Sequence, residues 1–194
     1  MKCAAWLAML VLLGTSALAQ TGERPPVGKR VITFHPFWIS PPKTLAENWD
    51  LVDAVVVGTV VQREIEAQPS RTQTTLLTDV TTVSTIDVGE VFKGPVSTLT
   101  RIRVREHAGT FDSGDSVIRS TDPTMDVGGR YVLFLKQETM VERSEFRPHF
   151  GPAGVYALKD DTVVSHSAAA FATAVASTSV NGLLRELRRF RDRK

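Results

Sequence analysis

Residues Ala54 to Val61 read Ala-Val-Val-Val-Gly-Thr-Val-Val, a β-branched run that is apolar at odd and even positions alike. Branching at Cβ favours extended backbone. A strand sends successive side chains to opposite faces, so this one reads as buried on both. Gly58 in its middle marks a bulge or sharp bend, the device by which a sheet curls into a barrel.

The following segments supply partners. Leu77 to Phe92 alternates with period two, placing Val80, Thr82, Ser84, Ile86 and Val88 on one face and Asp79, Thr81, Thr85 and Asp87 on the other. Gly89 interrupts the alternation, a second bulge signal, and Lys93-Gly94-Pro95 is turn chemistry. Leu99 to Glu106 sets Ile102 and Val104 against Arg101, Arg103 and Arg105. Residues 107–126 are rich in Gly, Ser, Asp and Thr and read as a long loop. Tyr131 to Leu135 is the most apolar strand; Phe146 to Leu158 adds one or two weaker ones, and Lys159-Asp160-Asp161-Thr162 is a hairpin turn into Val163-Val164. About five strands, two of them bent at glycine, with short hairpins and one long loop, predict a mainly β chain forming a small closed or partly open barrel.

The flanks differ in character. Residues 1–19 have the three parts of a secretory signal: Lys2, the apolar stretch Ala4 to Leu13, and the small-residue site Ala17-Leu18-Ala19. The stretch is about half of the roughly 20 residues a spanning helix needs. Residues 20–49 form a proline-rich arm carrying the apolar Phe34, Phe37, Trp38 and Ile39, and end in a helical turn capped by Thr44 with Glu47 three residues on. The barrel occupies 50–166. Residues 167–194 are an Ala/Ser/Thr linker or weak helix and then an amphipathic helix capped by Ser179, with Leu183, Leu184, Leu187 and Phe190 in one stripe and arginines crowding its C-terminal end.

Three of these segments resemble a known family. Asp53 to Val61 is similar to the opening strand of a netrin-like OB domain, the type found in tissue inhibitors of metalloproteinases. Val88-Gly89-Glu90-Val91-Phe92-Lys93-Gly94 is similar to its strand ending in "vyKG", and Val127-Gly128-Gly129-Arg130-Tyr131-Val132-Leu133-Phe134 to its "vGerYLvF". The three occur in the family's order over residues 50 to 136. The resemblance implies a five-stranded OB-like barrel with a long loop and a C-terminal α-helix. It does not carry inhibition across: the family chelates protease zinc through an N-terminal cysteine. Here Cys3 is the single cysteine, it falls within the signal, and the mature chain is expected to begin near Gln20. The chain thus resembles a cysteine-free bacterial exported relative of the family.

Loss of Cys3 removes thiol and disulfide chemistry. Loss of Lys2 brings the 23 basic residues within one of the 21 acidic, a balance that selects neither nucleic acid nor an acidic surface. There is no G-x-S-x-G elbow, and His35, His107, His149 and His166 lack metal-ligand spacing. No catalytic, metal or cofactor residue is assigned. Asp112-Ser113-Gly114-Asp115 reads as a polar turn, lacking the remaining ligands of a calcium loop. The candidate partner surface is Arg101, Arg103 and Arg105, which could grip an anionic polymer, together with Phe37 and Trp38. The competing reading pairs the arginines with Asp79 and Asp87, with Asp87 opposite Arg103 or Arg105. The C-terminal helix could lie on an anionic membrane; docking on the barrel with solvated arginines is favoured. The expectation is a periplasmic or secreted monomer, a non-catalytic binding or interaction module that meets an envelope or secreted protein. The alternatives are an inhibitor or accessory factor of a secreted protease, acting through Phe37-Trp38 and the barrel rim, and a hydrolase whose site assembles only in three dimensions, around loop 107–126 and His149.

Overall fold

The computed structural model describes residues 30–34, 42–71, 76–108, 110–112, 116–120, 125–138, 145–165, 167 and 169–193. Residues 1–19, the expected signal, and Phe37, Trp38, His35 and His166 lie outside them.

The strand predicted at Ala54 is β2 (Ala54–Arg71), and the alternating one is β3 (Leu76–Lys93). A 3-10 turn over Pro95–Thr98 leads to β4 (Arg101–Glu106); β7 (Arg130–Gln137), β8 (Glu145–Pro148), β9 (Val155–Lys159) and β10 (Thr162–Ser165) follow. β2 pairs antiparallel with both β3 and β7, β3 with β4, and β7 with β8. β4 and β8 pair in parallel, which closes the circuit β2-β3-β4-β8-β7. The chain is a five-stranded OB-like barrel, with β9 continuing along the edge of β7 and β10 attached outside it.

Both faces of β2 are buried. Ala54, Val56 and Val60 join Ile86, Ile102, Val104, Leu133, Leu135 and Phe146 inside the barrel. Val55 and Val57 face outward with Val132, Phe134 and Tyr156, forming a second core. That outer core is covered by α1 (Leu45–Leu51), α2 (Ala170–Ala176) and α3 (Val180–Arg191).

The glycine signals hold with one refinement. Gly58 pairs with Val88 and Val57 with Glu90, so the bulged residue is Gly89 on the partner strand. Gly58 is needed for close approach: a Cβ there would run into Ile86 and the Asp87 carbonyl.

Two segments were under-read. The long loop contains β5 (Thr110–Asp112) and β6 (Ser116–Ser120), an antiparallel pair. The arm contributes β1 (Arg30–Phe34), an edge strand parallel to β6. Pairing partners, not local apolar periodicity, define these short elements.

The helix caps are as read. Thr44 accepts from the Glu47 amide at 3.1 Å, and Ser179 from the Gly182 amide at 3.1 Å. The Glu47 carboxylate turns back onto the Lys43 amide at 2.7 Å, one residue before the cap. α3 buries Val180, Leu183, Leu184 and Leu187, and its Phe190 lies 5.3 Å from the Trp49 ring of α1. Its arginines are exposed, and Arg188 also makes two hydrogen bonds to Glu90 of β3, at 3.1 and 2.9 Å.

Candidate functional site

The arginine ladder stands on β4 with Ile102 and Val104 turned inward, as its alternation requires. Each arginine meets a carboxylate. Arg101 Nε lies 2.7 Å from Asp87, Arg103 3.3 Å from Glu66 and 3.5 Å from Glu145, and Arg105 2.7 Å from Glu66 and 2.9 Å from Glu145. The pairing differs from the sequence expectation. Asp87 faces Arg101, because the β3–β4 connection is centred on Gly94 and not on Pro95, which moves each partner by two residues. The Asp79 side chain lies outside the description, and Arg103 and Arg105 take Glu66 and Glu145 instead.

Glu66 reaches them across β3 because β2 runs well past Val61, through polar residues that no apolar signal marks. Glu145 is the most buried member, its side chain 3% exposed beneath both guanidinium groups. Burial by itself lowers the Arg105 pKa, but hydrogen bonds and charge from Glu66 and Glu145 outweigh it and the pKa is raised. Bidentate sharing of this kind uses the guanidinium fork. A polyanion would have to displace carboxylates already in place.

Of the histidines, His149 has the more unusual setting. Its Nε2 is buried without a hydrogen-bond partner among the described residues, and its ring centroid is 4.1 Å from that of Phe150. Burial, followed by the charges of Lys136 and Arg147, pushes its pKa down to about 4; Asp53 opposes them weakly. Asp53 itself accepts from Lys136 Nζ at 3.1 Å and from the Gln137 amide at 3.0 Å. An imidazole held neutral by cations is a weak base near pH 7. Among the described residues no three metal-ligating groups converge. Asp112 ends β5, and residues 113–115 lie outside the description.

Sequence reasoning missed two features. The first is a polar cluster at one end of the barrel. The Glu106 carboxylate, 7% exposed, accepts from Ser84 Oγ at 3.3 Å and from the Met125 amide at 3.5 Å, while Thr82 donates to the Ala108 carbonyl at 2.7 Å. These bonds close the barrel end beneath the buried Met125 side chain.

The second is an open groove of about 420 Å³ between the three helices. Lys43, Thr44 and Leu45 form one wall, Ala174, Val175 and Thr178 another, and Gly182, Leu183 and Glu186 the third. Val175 and Leu183 are buried members of the outer core and Leu45 packs against it, so the floor is apolar. Gly182 contributes no side chain, although glycine inside a helix costs up to about 1 kcal/mol against alanine. One wall comes from a segment more than a hundred residues from the other two, so no local pattern announces it.

Comparison with known protein families and with curated proteins finds no match. The site therefore rests on its own geometry.

Two outcomes are expected. Glu145→Ala should lower stability by roughly 2–3 kcal/mol in urea denaturation, less than the 3–5 of a fully buried pair because Arg105 keeps Glu66; Asp87→Asn, at an exposed pair, should leave the midpoint nearly unchanged. His149 has a folded pKa below its unfolded value of about 6.5. The unfolded chain therefore takes up the proton first, and its contribution to stability is complete above about pH 6.5 and lost as pH falls toward 4. His149→Gln should flatten the pH dependence of the denaturation midpoint across that window; an unchanged slope would exclude His149 as its source.

Proposed function

We propose that this protein is an exported, non-catalytic binding or interaction module of the bacterial envelope or exterior, built on a netrin-like OB domain, and that it binds through the groove between α1, α2 and α3. The groove carries this reading. Its volume of about 420 Å³ falls within the range of ligand sites, and such sites combine an apolar lining with a few polar groups at the mouth, as Lys43, Thr44 and Glu186 do here. Arg103 and Arg105 are engaged by Glu66 and Glu145, and Arg101 by Asp87, which favours the groove as the candidate surface.

The netrin-like assignment is supported by where its three motifs fall: on β2, at the end of β3 where Gly94 has φ 101°, and at the turn into β7 where Gly128 has φ 83°. Both glycines adopt backbone that other residues resist. Export is supported by Lys2, the short apolar stretch and the Ala17-Leu18-Ala19 site.

Expressed with its leader in a bacterial host, the protein should appear outside the cytoplasm with a mass that begins at Gln20; a full-length chain retained in the cell would refute export. For the groove, the neutral apolar fluorophore N-phenyl-1-naphthylamine should bind saturably at one site. Ala174→Trp, which fills the groove from an exposed position on α2, should abolish the signal. Equal binding by that variant would place the apolar site elsewhere and remove the basis of the reading.

A further inference from the structure

We infer that the outward face of α3 is an electrostatic contact for an anionic lipid surface, and that the helix meets this surface without inserting.

The apolar stripe of α3 is taken up by the barrel. Val180, Leu183, Leu184 and Leu187 are buried in the outer core, and Phe190 lies against Trp49. An amphipathic helix enters a bilayer by its apolar face, and here that face is occupied. What α3 offers is its other side. At about 100° per residue, Arg185 and Arg189 stand opposite the stripe, with Arg188 on one flank and Arg193 on the other, and all four are exposed.

The positive charge of the chain is concentrated here. Residues 185–194 hold six basic and two acidic residues, a net +4, whereas the whole chain is +2, which leaves −2 on the other 184 residues. Little of this charge is neutralised locally. Arg185 forms no ion pair among the described residues. Arg189 is 65% exposed and reaches Glu186 only at 3.9 Å, and Arg193 lies 5.3 Å from the Phe190 ring. Arg188 and Arg191 share one carboxylate, Glu90, and Arg191 also takes Asp192. The β4 arginines are the contrast: Arg103 and Arg105 hold a Glu145 that is 3% exposed. Cations in the last turn complement the helix dipole, but that effect fades within a turn, and Arg185 stands mid-helix.

The shape selects the partner. The four arginines cover about 12 Å of helix length and about 140° of its circumference. Their long side chains can bring heads from both flanks to one plane, where phosphate headgroups suit the guanidinium fork. A single anionic chain follows one line along the helix and leaves a flank unmet. Each basic residue held at an anionic bilayer strengthens binding roughly fivefold.

The test is cosedimentation of the protein with large unilamellar vesicles of phosphatidylglycerol and phosphatidylcholine. The protein should bind them, less tightly as salt rises, and should bind phosphatidylcholine alone far more weakly. Replacing both crest residues, Arg185→Gln with Arg189→Gln, should weaken binding roughly 25-fold. Arg185→Lys with Arg189→Lys should retain it, because the attraction is one of charge. Equal binding by the double glutamine variant, or equal binding to phosphatidylcholine alone, would overturn the inference. Soluble polyphosphate that strips the protein from the vesicles at a phosphate concentration below that of the lipid would make a polymer the occupant, and the lipid assignment would fall. The groove is tested separately by Ala174→Trp, which leaves this face intact.

Discussion

β2 has apolar side chains on both of its faces, and the rest of the structure follows from covering them. One layer cannot do it. The inward set, Ala54, Val56 and Val60, needs a closed sheet around it, which β3, β4, β8 and β7 provide. The outward set, Val55 and Val57, needs a cover of another kind, which the three helices provide. At roughly 25 cal/mol per Å² of apolar surface, leaving either face wet would forfeit more than a domain's net stability can absorb. Barrel and helical cap are thus two responses to one strand.

Closure is the weaker part of that arrangement. β4 and β8 meet in parallel over only two register pairs, Arg103 with Glu145 and Val104 with Phe146. The inner member of each strand, Val104 and Phe146, packs in the barrel core, and the outer members form the network with Arg105 and Glu66. A short parallel seam has few backbone hydrogen bonds to hold it. Of the arginines that look like a ligand surface in the sequence, Arg103 and Arg105 reach Glu66 and Glu145 beside that seam, and Arg101 pairs with Asp87 of β3. Alternation with apolar residues is a signature of such pairing as much as of polymer binding.

The barrel was legible where side chains report their own burial. The run in β2, the alternation in β3 and β4, Tyr131 to Leu135 in β7 and the stripe of α3 each carry their burial in local pattern. Ser179 and Thr44 announce their caps, and Gly89 its bulge. Legibility failed where the deciding partner is distant. β1 and β6 support each other in parallel across some eighty residues, and Gly114 and its polar neighbours conceal β5 and β6. Past Val60 β2 is mostly polar, and Val61 to Ile65 are exposed at odd and even positions alike, so no apolar period marks its length or the reach of Glu66. The register of β3 against β4 slipped because Gly94 and Pro95 are both turn residues and only geometry chooses between them. The groove was invisible for the same reason: Lys43 lies far along the chain from Val175 and Glu186.

The position of α3 has a consequence for how the chain acquires this shape. β2 leaves the ribosome long before Val180 does, and until α3 arrives Val55, Val57, Val132 and Phe134 lack their outer cover. A barrel formed early would show that patch to its surroundings, and patches of this kind drive association of incomplete chains. The domain can finish folding only as a whole, late, and through contacts that are distant in sequence, which places it among slow folders.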